Sequence, residues 1–292
     1  MISNRSKYTT AALFLLPAFV VYTVLLIYPV LQSVYMSFYE WNGIASSNLV
    51  FAGLRNYETM FDMPEFWTAL KNVLKFVLIG FALQMPLSFF LGYLISLKMK
   101  GIRFFKTAFF MPVVLPMTAV GLMWTFILFP NGGLFNTLLT EIGLGGLVRS
   151  WLGDTTVVTY TLPMINMWVY AGLNMIIFSA GIVGIPEQLY QAAAIDGATG
   201  WRKLRYITIP LLKDTFKIYA VTCLTGSLRV FDIIFVMTSG GPNGASDVPA
   251  TMLYYQGFKY MNFGLANSIG TFILVAGLTL SILTNRYLSS DK

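Results

Sequence analysis

Few side chains in this 292-residue sequence can do chemistry, and those that can lie in apolar surroundings. Arg229 and Asp232 stand three apart, so a continuous helix places them on one face. Arg229 is nine residues from Thr238, about 14 Å at ~1.5 Å per helical residue, which is near mid-membrane if the segment spans a bilayer. An unpaired Arg there costs roughly 2.5–3.5 kcal/mol on insertion scales. Two readings stand: a group lining a pathway, or a self-neutralising pair that holds helices together. Asn166, Tyr170 and Asn174 recur at i, i+4 and i+8 on one face, with Trp168 close by. Amides, a hydroxyl and aromatic faces suit a carbohydrate, although packing between helices uses the same residue types.

Catalytic chemistry is poorly supplied. Histidine is absent and Cys223 is the lone cysteine, which argues against a structural zinc site, a His-based triad and a disulfide framework. No metal or cofactor is expected. There is no G-x-x-x-x-G-K-[ST] phosphate loop and no G-x-S-x-G elbow. The chain is therefore read as a non-catalytic subunit.

The composition names the solvent. Hydrophobic residues make up 57% of the chain and charged residues 11%, with a mean hydropathy of +0.70. A soluble domain carries about 25% charged residues. A helix crossing ~30 Å of hydrocarbon needs ~20 mainly apolar residues. Six stretches meet that test: 11–38, 70–97, 107–129, 157–184, 211–238 and 264–285. The expected fold is an all-α membrane protein of six transmembrane helices, a single transmembrane domain over 1–292. The first stretch follows Arg5 and Lys7 and is too long for a cleaved signal, so it reads as a retained anchor. Pro112 and Pro116 remove backbone donors inside the third stretch and predict a kink.

The net charge of +7 sits at the ends of apolar segments, which speaks for topology and against nucleic acid. Arg5, Lys7, Lys98, Lys100, Arg103, Lys106, Arg202, Lys203, Arg205, Lys213, Lys217, Arg286 and Lys292 fall on one side. The connections 39–69, 130–156 and 239–263 hold only Arg55, Arg149 and Lys259. Both termini are therefore expected in the cytoplasm of a multi-pass protein of the cell membrane. Trp41, Trp67, Trp124, Trp151 and Tyr255 lie near the boundaries, as an aromatic belt does. Residues 54–67 are amphipathic and suit a helix at the outer interface.

The cytoplasmic connection 186–212 has the most specific spacing. Pro186 stops the preceding helix, and Glu187 suits the positive end of a short new one. Good helix formers run to Ile195, and Asp196-Gly197 supplies the stop. A second piece, 201–206, leads to Pro210 at the start of the fifth span. By composition alone this is an interhelical loop with a capped helix and a small-residue face.

Its Ala192-Ala193, Asp196-Gly197-Ala198, Ile207 and Pro210-Leu211-Leu212 closely resemble the ATPase-docking loop of binding-protein-dependent ABC importers. The stretches 51–72 and 237–258 look like the first and last outer loops of the sugar-uptake branch, the maltose and glycerol-3-phosphate permeases. The resemblance covers nearly the whole chain and implies a type I importer permease fold. The family's glutamate falls at Gln191, which removes one ionic anchor, with Glu187 a turn earlier.

That resemblance implies ATPase coupling through Glu187, Gln191, Ala192, Ala193, Asp196, Gly197, Ala198 and Pro210. It places a sugar site on the stripe of Asn166, Val169, Tyr170 and Leu173. To these it adds Ser227, Val230, Cys223, Val113 and Met117, beside Asn174, Arg229 and Asp232. The implied partners are a second homologous permease, two copies of a cytoplasmic ATPase and an extracytoplasmic binding protein. The substrate is a sugar, with a sugar phosphate or polyol as the alternative. The competing class is an ion-coupled secondary transporter, for which Asp232 is the one acid deep in a span.

Overall fold

The computed structural model describes residues 4–44, 49–97 and 100–287; Lys98 and Lys292, used above for orientation, lie outside them. The chain is helical almost throughout. It opens with α1 (Asn4–Tyr22) and α2 (Tyr28–Met36), joined by the π turn Thr23–Ile27 into one rod. Two short strands follow, β1 (Tyr39–Glu40) and β2 (Val50–Phe51), then α3 (Arg55–Asp62), α4 (Pro64–Ile79) and α5 (Met85–Ser96). Next come α6 (Ile102–Val114), α7 (Met117–Ile127), α8 (Leu134–Glu141) and the long α9 (Val158–Val183). The second half holds α10 (Glu187–Ile195), α11 (Gly200–Lys203), α12 (Ile209–Leu211) and α13 (Lys213–Leu228). It closes with α14 (Asp232–Met237), α15 (Pro249–Tyr254) and α16 (Phe263–Tyr287).

Among the described residues four helical rods are long and apolar enough to cross a bilayer: Leu13–Met36, Pro64–Ser96, Val158–Val183 and Phe263–Tyr287. A fifth candidate is the pair α6 and α7, bent by 98° at Leu115-Pro116. Pro116 has no N–H to continue the ladder, and it biases the residue before it away from helix, so Leu115 is extended at ψ 144°. Pro112, by contrast, is accommodated inside α6. The expected fifth span, 211–238, is not one rod. It folds as α13 and α14, interrupted at Arg229–Phe231, with charged residues at the start and at the break. The amphipathic stretch 54–67 also divides, because Met63 is extended between α3 and Pro64.

The chain forms two compact units. The first comprises Met1–Met63 with Met252–Phe272. Here β1 pairs antiparallel with β2, Tyr39 opposite Phe51 and Glu40 opposite Val50. The buried Asn56 amide donates to the carbonyls of Ser37 (2.9 Å) and Tyr39 (3.0 Å), fixing α3 beside the strand. Ser33 Oγ donates to Asn267 Oδ1 at 2.6 Å, tying α2 to α16. From Leu13 to Met36 no side chain is buried, which leaves the first rod open to lipid or to another chain.

The second unit, Pro64–Thr251 with Ile273–Lys292, is built around α9. Lipid is as apolar as leucine, so helices here gain little from burial and associate by close packing and polar contacts. Small residues make that approach possible. A Cβ on Gly92 of α5 would sit 2.8 Å from the Met175 carbonyl oxygen, and one on Gly172 of α9 would fall on the Phe109 carbonyl of α6. Gly121 brings α7 against α14, where its Cβ would be 2.7 Å from Val236 Cγ1. Polar ties add direction: Ser88 Oγ donates to the Ala171 carbonyl at 3.1 Å, and Lys75 Nζ donates to Thr159 Oγ1 at 2.8 Å. Val73, Phe76, Leu162, Ile165, Ile233 and Ile234 fill the core between them.

Candidate functional site

Within the second unit α4, the π turn Gly80–Gln84, α7, α9, α13 and the start of α14 wall a cavity of about 470 Å³, inside the 300–1,000 Å³ range of small-molecule sites. Its lining includes Asn166, Tyr170, Leu173 and Asn174 from α9, Met117 from α7, and Cys223 and Ser227 from α13. Arg229, Val230 and Asp232, at the interruption between α13 and α14, complete the expected set. Val113 and Val169 do not line it. Val169 is 1% exposed and faces the core, because α9 turns 100° per residue and Tyr170 takes the cavity side.

The structure adds residues that sequence reasoning passed over: Phe76, Gln84, Tyr219, Thr222, Gly226, Phe231 and Ile233. Gln84 lies in a π turn, Gly80–Gln84, and the Tyr219 hydroxyl donates to the Gly80 carbonyl at 2.6 Å, with Gln84 Oε1 at 3.3 Å. Gly80 leaves room for Cys223, whose Sγ is 2.5 Å from where a Cβ would stand. The available signal was the cost of placing polar groups in a span, which marks Gln84 as it marked Asn166.

Arg229 and Asp232 correct one reading. They do not neutralise each other: among the described residues the one ion pair joins Arg55 to Glu40, and neither charged side chain has a hydrogen-bond partner. The interruption is the cause. Arg229 ends α13 and Asp232 begins α14, with Phe231 at φ −140° between them, so the i, i+3 geometry of a continuous helix is lost.

The second constellation is α10 and its flanks. Glu187 stands in the first turn, Asp196 caps the end, and Gly197 is left-handed at φ +72°. Gly197 N–H donates to the Ala194 carbonyl at 3.1 Å and Ala198 N–H to the Ala193 carbonyl at 2.8 Å, the paired bonds of a Schellman termination. Tyr190 and Thr208 hydroxyls meet at 2.9 Å and hold α10 to the turn before α12. Gln191, Ala192, Ala194 and Pro210 are exposed, and Ala193 and Ala198 are half-buried. Leu189, Ile195, Trp201 and Tyr206 are also exposed, Ile195 at 87%.

Beyond the spans, the loop 238–248 holds Asp247 against Gly240, with Thr251 Oγ1 donating to its carboxylate at 2.8 Å. Burial pushes the Asp247 carboxyl up to about 6, with the Thr251 hydrogen bond opposing. Asn72 Nδ2 donates to the Ala245 and Asp247 carbonyls at 2.7 and 2.8 Å, so α4 clamps this loop. Among the described residues no three His, Cys, Asp or Glu side chains are grouped to hold a metal.

Known proteins give the class to which this helical chain belongs. The chain is 34% identical over 282 residues, 96% of each chain, to the probable ABC transporter permease YurN of Bacillus subtilis. It is 32% identical, over 92% of each chain, to the osmoprotective-compounds uptake permease GgtC of a Synechocystis strain. It is 29% identical, over 96% of this chain and 95% of the relative, to the trehalose/maltose permease MalF of Thermococcus litoralis. A solved bacterial importer of alginate contains a chain of the same fold, with TM-score 0.82 and 25% identity over 97% of this chain and 96% of that one. No family model matches. The chain belongs to the ABC transporter permeases and is a multi-pass membrane protein.

Proposed function

We propose that this chain forms one half of the translocation path of an ATP-driven sugar importer, with the α9–α13 cavity as its substrate-facing wall. The observation that carries the reading is that wall: Asn166, Asn174, Gln84 and Ser227 offer amide and hydroxyl groups, and Tyr170 and Phe76 offer ring faces, inside one 470 Å³ space. Neutral sugars need that mixture, because each hydroxyl stripped of water must find a partner.

In this reading the path has six spans, with α13 and α14 serving as a broken fifth, and both termini face the cytoplasm. A second, homologous permease completes the path. Two copies of a cytoplasmic ATPase supply the energy, one docking on α10, where the exposed Leu189, Ile195, Trp201 and Tyr206 give an apolar surface for a partner to cover. Gln191 contributes a hydrogen bond there in place of an ion pair. An extracytoplasmic binding protein delivers substrate to the outer loops. ATP binding draws the docked helices together and opens the cavity outward; hydrolysis resets it inward. The chain itself makes and breaks no covalent bond.

A sugar phosphate or polyol is the second substrate class, since a polyol's hydroxyls use the same hydroxyl-matching groups on the cavity wall. Reconstitution tests both. Liposomes holding the two permeases and the ATPase, supplied with binding protein and ATP, are expected to accumulate a labelled sugar or polyol. Uptake by this chain alone, without ATPase, would overturn the importer reading.

A further inference from the structure

Arg229 and Asp232 are the two formally charged groups on the cavity wall. Both are exposed, stand at a helix interruption deep in an apolar stretch, and pair with no described residue. A charge at that depth faces a bundle interior or a water-filled space and finds a partner there, because hydrocarbon offers none. A neutral sugar can hydrogen-bond to either group but brings no counter-charge, and in its absence only water faces the two side chains. A permanent partner is the better match for a permanent pair of charges.

The arrangement names that partner's chemistry. In an interface related by a two-fold axis, residue i of one chain meets residue j of the other, and j meets i. A chain that presents a base and an acid on the two lips of one break is therefore complementary to a homologue that carries the same two signs. We propose that Arg229 and Asp232 make reciprocal ion pairs, base to acid and acid to base, with the second permease chain at the cavity wall. This rests on the paired-permease reading above and goes further by assigning the two residues to assembly and not to substrate. It also accounts for the missing bond between them: each is held for a group on the other chain.

The test uses the full transporter, co-expressed with its second permease and purified through a tag on this chain. Arg229→Asp and Asp232→Arg are each expected to lower recovery of the second permease by about tenfold, the scale of losing a desolvated charge pair. Reversing the facing acid on the second chain should restore recovery for Arg229→Asp. Where a reversal fails to reach the membrane, Arg229→Cys is combined with a cysteine at that facing acid, and a short bis-maleimide, which spans the gap that an Arg–carboxylate pair leaves and a disulfide does not, is expected to link the two chains. Parent chains carrying only Cys223 provide the background. Wild-type recovery in both reversals with uptake alone lost would make the charges substrate ligands and overturn the proposal. Absence of any cross-link would overturn it too. If the wild-type complex assembles but never transports sugar, the importer reading fails while the interface result still stands.

Discussion

Gly197 donates its backbone N–H to the Ala194 carbonyl while holding φ at +72°, and that single left-handed residue ends α10. A Cβ at Gly197 would meet nothing within 4 Å, so space is not what demands glycine. Backbone handedness is. An L-residue pays roughly 1–2 kcal/mol in this region, less for Asn.

The first prediction is an order. Gly197→Asn should keep most sugar-dependent uptake, Gly197→Ala should lose part, and Gly197→Val should lose most, with all three at wild-type abundance in the membrane. Equal uptake by the Asn and Val variants would remove the role of the α10 termination in coupling. Ala193→Arg, which adds a long cation to the face beside it, is expected to uncouple ATP hydrolysis from transport without affecting insertion.

Two other glycines separate backbone obstruction from side-chain obstruction. Gly172 lies against the Phe109 carbonyl, whereas Gly80 lies against the tip of Cys223. Overpacking costs about 1–3 kcal/mol where neighbours cannot move. Gly172→Ala is thus expected to lower the thermal stability of the detergent-solubilised protein with no second-site rescue. Gly80→Ala should lower it less, and Cys223→Ala added to it should restore what was lost. Rescue failing in the Gly80 case would show that the Cys223 contact is not the obstruction.

These cases also show what could be read from sequence. The α10 termination was legible because Gly and Asp have strong local preferences, and the bend at Leu115-Pro116 because proline lacks a donor. The interruption at Arg229–Phe231 was not legible, since no proline marks it and Arg-Val-Phe is compatible with helix. With that break unseen, Arg229 and Asp232 looked like a pair on one face. Gln84 carries the signal of a polar group in a span, but its meeting with Tyr219 depends on the π turn at Gly80–Gln84, which has no residue-type signature. Val169, on the stripe that the family resemblance implies, is buried in the core because the turn of α9 gives the cavity side to Tyr170.

The outer loop gives a pH dependence. Asp247 is pushed from 3.8 to about 6 by burial, so the folded loop holds a proton more tightly than the unfolded chain. Its contribution to stability is fully present below the unfolded value and is lost as pH rises through about 6. Thr251 donates to the carboxylate directly, and Lys75 of the adjoining α4 donates to Asn72 Oδ1 at 3.4 Å. Asp247→Asn keeps an acceptor for Thr251 and removes the charge. Melting of the two proteins should therefore nearly coincide at about pH 3.5 and diverge as pH rises to about 6, above which the variant stays the higher-melting by a constant margin. Parallel curves across that range would refute a buried, proton-holding Asp247.

The cavity wall makes the sharpest claim about transport. Asn166 and Tyr170 share the cavity side of α9, one turn apart, while Val169 between them points into the core. If the wall binds sugar, Asn166→Ala removes hydrogen bonds worth about 1 kcal/mol each, so uptake efficiency should fall roughly fivefold or more. Tyr170→Phe keeps the ring and drops the hydroxyl, and should cost less than Tyr170→Ala. None of the three touches α10, so ATP hydrolysis stimulated by the binding protein should persist while uptake falls. Val169→Ala should do the reverse of a binding defect, lowering thermal stability at unchanged sugar concentration dependence. Uptake unaffected in a combined Asn166→Ala, Tyr170→Ala protein would move the substrate contacts off this helix and onto the second permease.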